Sequence, residues 1–216
     1  VSNPSSNQVQ AFDPATGEPG AAVALPDSGE LVMNAGKAAV ISRLNGSVWF
    51  GDTADVLAKD FNKEKAKLDL GEAAKVTITV GGTLLGLSLR DSTVVRLRGD
   101  TRTQVKVPIG LEVTQPNVEL SAVGEKVVVL DRTKQLIWFE GADQPMSLPA
   151  GSSARLAAPS PVTSHLDGQI SAIVATATGI VGVRNRELRS LSGVVPQGTP
   201  GVPVTVGDCI HAVIGT

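Results

Sequence analysis

The chain contains no tyrosine, one cysteine, two histidines and, in 216 residues, only two tryptophans and four phenylalanines. Each shortage closes off a class of function. So few rings offer little stacking surface to single-stranded nucleic acid, and a formal net charge of -2 with a pI near 5.7 gives no general attraction to phosphate. Nucleic acid is therefore not expected as a partner. The single thiol, Cys209, cannot form an internal disulfide, so no bridge reports on the redox compartment. No apolar run reaches the roughly 18–20 residues a membrane span needs, and the first twenty residues lack the basic and apolar blocks of a signal peptide. No membrane contact is expected of this segment. It begins at Val1 rather than Met, which suggests a piece of a longer chain whose targeting signals lie elsewhere.

What the sequence does have is 42% hydrophobic residues, ample for a core, cut by 23 Gly and 13 Pro into short runs rich in Val, Ile and Thr. That is all-β composition. Four segments share one pattern of Gly-led turn, apolar strand, polar turn and second apolar strand: "GKAAVISRLNGSVWF" from Gly36, "GTLLGLSLRDSTVVRL" from Gly82, "GEKVVVLDRTKQLIWF" from Gly124 and "GIVGVRNRELRSL" from Gly179. Trp49-Phe50 recurs as Trp138-Phe139 at nearly the same offset from its glycine. Each hairpin follows an apolar strand ("ELVMNA", "KVTITV", "NVELSAV", "QISAIVATA") and precedes a more polar one, found between "TADVLA" and "AKLDL", then in "TQVKVP", "PMSLP" and "VPVTV". A four-stranded antiparallel unit returning every 40–55 residues has the period of a β-propeller blade, with the buried strand first.

The expected architecture is one propeller domain with blades at approximately 26–70, 71–110, 111–150 and 151–206. A fifth would be assembled from both ends: "VSN", "QVQAF" and "AAVAL" within 1–25 read as its second, third and fourth strands, the last two joined by the turn "DPATG", while "CIHAVIGT" reads as the innermost strand. Pairing of 209–214 with 1–25 would close a five-bladed ring and leave no open edge at the seam. An arc cut from a larger propeller and a many-stranded β-sandwich are the alternatives.

"VQAFDPATG", "NGSVWF", the Gly-led second strands and the terminal "GDCIHAVIGT" together resemble a propeller region of very large actinobacterial cell-surface proteins that carry immunoglobulin-like or fibronectin type III arrays. The resemblance implies an extracellular or cell-envelope setting, a parent protein anchored in the membrane, and no established activity. It also implies that a cysteine placed like Cys209 finds its partner beyond these residues.

Candidate chemistry is sparse. Cys209 and His211 lie two apart on one predicted strand face, but two ligands do not make a metal site and His165 sits in a distant Pro- and Ser-rich loop. Neither metal nor cofactor is expected, and Cys209 reads as a core residue. Asp60, Asn62 and Glu64 alternate as at the start of a calcium loop, without the glycine and terminal Glu such loops require; a solvated loop or a short helix over 53–66 fits better. Arg98-Gly99-Asp100 reads as a tight turn, while Arg90, Arg96, Arg98, Arg102 and Lys106 make the second blade locally basic, with Arg96 and Arg98 on one face for an acidic partner. On the inner strands only Glu30 and Glu119 offer carboxyls for acid–base chemistry at the axis. One of each Trp-Phe pair is expected in the core, which leaves no aromatic platform per blade for sugars. The expected role is a non-enzymatic scaffold or protein-interaction module, the alternative a carbohydrate-binding or glycan-cleaving propeller.

Overall fold

The computed structural model describes residues 2–3, 7–13, 15–114, 117–149, 153–160, 170–193, 197–206 and 209–215. The alternation of the repeat segments governs what forms. Near the N-terminus, β1 (Ser2–Asn3), β2 (Gln8–Phe12) and β3 (Pro19–Ala24) make a three-stranded antiparallel sheet. The first blade follows as β4 (Gly29–Asn34), β5 (Lys37–Ser42), β6 (Ser47–Asp52) and β7 (Leu68–Asp69), with a one-turn helix α1 (Thr53–Leu57) before the last strand. The second contains β8 (Lys75–Ile78), β9 (Leu84–Ser88), β10 (Thr93–Arg98) and β11 (Thr101–Lys106); the third β12 (Val118–Val123), β13 (Lys126–Asp131), β14 (Leu136–Phe139) and β15 (Met146–Ser147). Each is a meander paired in chain order. The chain is thus all-β with four-stranded antiparallel blades, as the repeat predicts.

The second strands show why the pattern works. In β5, Ala38 and Val40 point into a core shared with the N-terminal sheet, while Ala39 and Ile41 point into the core shared with the second blade. In β13, Val127 and Val129 face the second blade, and Val128 and Leu130 face the fourth. A strand sandwiched between blades must be apolar on both faces, so its sequence reads as a continuous run rather than an alternation. Burying each Leu or Val contributes roughly 1.5–3 kcal/mol, and the cores lie between neighbouring sheets along the whole series. The turns follow local chemistry: Gly36 at φ 72° closes the β4–β5 hairpin, and Gly99 at φ 57° closes the one between Arg98 and Thr101.

Two expectations fail in the last third. The fourth sheet comprises β16 (Arg155–Leu156), β17 (Ile170–Thr176), β18 (Gly179–Arg184) and β19 (Glu187–Ser190), so the strand expected from "VPVTV" is not its outer edge. β16 is added at the opposite edge, beside β17. Beyond it, β20 (Thr199–Pro200) pairs with β23 (Ile214–Gly215), and β21 (Val204–Val206) pairs with β22 (Cys209–His211). The expected closure, with 209–214 pairing against 1–25, is therefore not formed among the described residues. A short local hairpin satisfies the β22 backbone groups without the loop-closure entropy of joining the two chain ends. Helix over 53–66 is confined to 53–57, because the charged stretch after it turns on its own side chains: Asp60 Oδ1 accepts the Asn62 amide at 3.1 Å.

Candidate functional site

The innermost strands β4, β8 and β12 pack side by side, and the entry ends of all three open on one axial cavity of about 360 Å³. Its polar lining includes Glu30, Arg43, Lys75, Glu119, Arg132 and Arg155. The two carboxylates singled out from the sequence, far apart in the chain, are thus brought to one cavity.

Neither is free. Glu30 accepts from Nε of Arg43 at 2.8 Å and also pairs with its Nη2. Glu119 accepts the Leu156 amide at 2.8 Å and lies 2.6 Å from Arg155 Nε and 3.7 Å from Arg132 Nε. The backbone it holds is the segment 154–160, where the repeat pattern marks no strand. That segment runs along the axial side of two blades: the Ala157 amide donates to Ile173 O, the Ser160 amide to Ala122 O, and Ser121 Oγ to Ala157 O at 2.5 Å. Arg132 Nε reaches the Ala154 carbonyl at 3.0 Å. Glu119 therefore positions a strand, and an acid–base pair for glycoside cleavage would need carboxyls released from these guanidiniums.

Lys75 differs from its neighbours. Half-buried at the start of β8, it pairs through its backbone with Leu87, and its ammonium makes no hydrogen bond or ion pair among the described residues. Burial pushes its ammonium below the usual lysine range and repulsion from Arg43 adds to this, against attraction from Glu30 and Glu119.

The basic surface of the second blade is also largely committed. Arg96 pairs with Glu140 at 2.6 Å and donates to the Glu125 carbonyl at 3.0 Å, which ties β10 to the third blade. Arg98 is exposed beside Glu125, whose carboxyl burial would raise. The Thr79 and Thr83 hydroxyls, the Gly81 amide and the charge of Arg98 together hold it below its ordinary value. Arg96 and Arg98 share a cavity of about 420 Å³ with Glu125 and Glu140, so acids already answer the basic pair. Arg90 lies 3.5 Å from Asp91, and Lys106 Nζ donates to the Asp91 carbonyl at 2.6 Å. The Arg98-Gly99-Asp100 triplet is the tight turn its composition predicts.

Cys209 and His211 lie on one face of β22 and both are exposed, which corrects the expectation of a core cysteine. His165 falls outside the described residues, and among those described no cluster of three or more His, Cys, Asp or Glu could hold a metal. Asp60 pairs with Lys63 at 2.9 Å and Glu64 with Lys59 at 3.4 Å, the arrangement of a solvated loop. Trp49 and Phe50 are both buried, where one was expected; Trp49 packs edge-on against Phe61 at 5.3 Å and donates to the Glu64 carbonyl, and Trp138 is buried likewise. An apolar groove of about 800 Å³, which sequence reasoning missed, separates the N-terminal sheet from the first blade, with Phe12 and Met33 about half exposed at its rim.

No family model matches the sequence, and no curated protein matches it. Among solved structures the chain is similar in fold to a catalytically inactive virginiamycin B lyase from Staphylococcus aureus with quinupristin. That likeness has 11% identity and a TM-score of 0.56, covering 97% of this chain and 71% of the other. A streptogramin B lyase gives 11% identity and 0.54 over 98% and 77%. The extracellular domain of a one-component system from B. thetaiotaomicron gives 11% and 0.51 over 90% of this chain and 28% of the other. Identities this low speak to architecture alone, and the architecture they share with this chain is the β-propeller.

Proposed function

We propose that the chain is a non-catalytic propeller scaffold, an interaction module of a larger bacterial surface protein, working outside the cell or at its envelope and facing a protein partner or the neighbouring modules of its parent. The observation that carries this reading is the commitment of the two axial carboxylates. Glu30 is bound by Arg43, and Glu119 by Arg155, Arg132 and the Leu156 amide. Carboxyls so held serve the architecture of the blades, and hydrolysis needs at least one acid and one base free to exchange protons. In this reading the parent belongs with the large actinobacterial proteins whose motifs the sequence resembles. No helix among the described residues is long and apolar enough to cross a membrane.

A second reading, a propeller that binds or cleaves glycans at its axis, draws on one observation: Glu30 and Glu119 line the same cavity. Incubation of the purified chain with a panel of polysaccharides, followed by reducing-end assay, separates the two. The scaffold reading expects no turnover by the wild type. Turnover that is lost in Glu119→Gln, in a variant that remains folded, would replace it with the glycosidase reading.

A further inference from the structure

The inner strands β4, β8 and β12 place one side chain each at an equivalent point of successive blades. Their hairpin tips are marked by Asn34 pairing with Lys37, by the Thr79 amide bonding the Thr83 carbonyl, and by Val123 pairing with Lys126. Counting back the same four residues from Asn34, Thr79 and Val123 reaches Glu30, Lys75 and Glu119. Across the hairpin these pair with Ile41, Leu87 and Leu130, and two residues further stand Arg43, Leu89 and Arg132. The first and third blades thus carry the same Glu–Arg couple thirteen residues apart, which the structure joins in both. In the second blade the Glu has become Lys75, and the position of the arginine is taken by Leu89, which is wholly buried in the core.

This substitution breaks the charge balance of the cavity. Three guanidiniums, Arg43, Arg132 and Arg155, already neutralise the two carboxylates. Lys75 is a fourth cation with no ion-paired carboxylate among the described residues, so four positive groups face two negative ones across about 360 Å³. An unpaired ammonium half-removed from water carries a desolvation cost that an anion in the cavity would relieve. The volume admits a small molecule, and the wall formed by Leu156, Ala157 and Val76 supplies an apolar side for it.

We propose that this axial cavity is a binding site for a small anion, a carboxylate or phosphate group, with Lys75 as its principal ligand and the three arginines as a cationic surround. The site is independent of whether the ring serves as a scaffold. Lys75 supplies a charge-assisted hydrogen bond to the anion, while the Glu30–Arg43 and Glu119–Arg155 pairs keep the carboxylates from repelling it. Neutral molecules of the same size gain nothing from the excess charge.

The test is isothermal titration calorimetry of the intact 216-residue chain at low ionic strength with inorganic phosphate, with glucuronate and with glucose. Saturable binding is expected for at least one of the two anions and none for glucose; which anion is preferred distinguishes phosphate chemistry from carboxylate chemistry. Lys75→Met should weaken binding about tenfold or more, the loss of one charged hydrogen bond, while Lys75→Arg and the remote exposed Lys65→Met should stay within about threefold of wild type. Amide shifts on titration should centre on Val76, Leu156 and Ala157, a readout that needs no variant. The proposal is overturned if neither anion binds at roughly 10 mM. It is equally overturned if Lys75→Met binds as wild type, if Lys65→Met loses as much affinity, or if the shifts lie away from the axis.

Discussion

Glu119 and Lys75 occupy the same position in successive blades and carry opposite consequences for stability. Glu119 receives two arginines and a backbone amide at a site only about one-fifth exposed. Glu119→Gln leaves the Leu156 amide with a weaker acceptor and removes the charge that balances Arg155 and Arg132, so it should cost about 1–3 kcal/mol in urea unfolding. An unchanged midpoint would mean that the axial segment is held without it. Lys75 is the reverse case. Its ammonium sits below the usual 10.5 because burial disfavours the charged form, with Arg43 adding to the effect and Glu30 and Glu119 opposing it. The native state therefore binds this proton more weakly than the unfolded chain does. The resulting penalty is present at neutral pH and fades as pH rises from the native value toward 10.5. Lys75→Met should accordingly be more stable than wild type at about pH 7, with the advantage narrowing by about pH 10 in parallel denaturation curves. A variant less stable than wild type at neutral pH would show that the lysine stem or an unseen partner, rather than the desolvated charge, governs the site.

Among the elements, those legible from sequence are the ones whose pattern is set by neighbours in the chain. The runs "KAAVIS" and "KVVVLD" announce strands buried on both faces, and Gly36, Gly99 and Gly124 mark tight turns that only a few residue types tolerate. The two-residue strand Arg155–Leu156 carries no period at all; what makes it a strand is the carboxylate of Glu119 thirty-seven residues earlier and the edge of β17, and neither is visible in "SSARLAAPS". For the C-terminal ladder a signal was available. "VTVGDCIHA" has Gly-Asp between two β-branched runs, a hairpin signature that favours local pairing over closure with the N-terminus. Glu30 and Glu119 were legible as axial residues, but their arginine partners depend on cross-strand register, and so does the isolation of Lys75. Contacts between blades follow the same logic. Glu125, in the β12–β13 turn, accepts from Thr79 Oγ1 at 2.7 Å and from the Gly81 amide at 3.2 Å, stitching the third blade to the tip of the second. Its carboxyl is held below the usual 4.5 despite the opposing effect of burial. This contribution to stability is thus complete above 4.5 and disappears as pH falls through the native value. Wild type should exceed Glu125→Gln in stability at about pH 7, and the two should converge by about pH 3 in thermal unfolding. Parallel curves across that range would remove the inter-blade bond from the account.

On the scale of the whole molecule, stability is distributed as in other repeat architectures, where each unit rests on its neighbours and the ends have only one. The blades from β4 to β15 have a buried core on both faces, and β17 and β18 share one with the third blade. The N-terminal sheet buries Val9 but leaves most of β3 exposed, and the C-terminal segment presents Val204 and Val206 of β21 and Val213 between β22 and β23 to solvent. Hydrogen exchange should therefore divide the chain in two. Amides of β5, β9, β13 and β17 should open only with global unfolding, while those of β2, β3, β21 and β22 should exchange through local opening at much lower free energy. The axial segment discriminates further, because the Ala157 and Ser160 amides belong by sequence to a loop but by hydrogen bonding to the inner edges of two blades. They should be protected with the central group. Slow exchange at 209–211 and 8–24 together in a monomer would mean that the two ends pair with each other. Fast exchange at both ends with a protected Ala157 would place the rigid part of this protein in the blades around the axial cavity, where the Lys75 ammonium stands without a partner among the described residues.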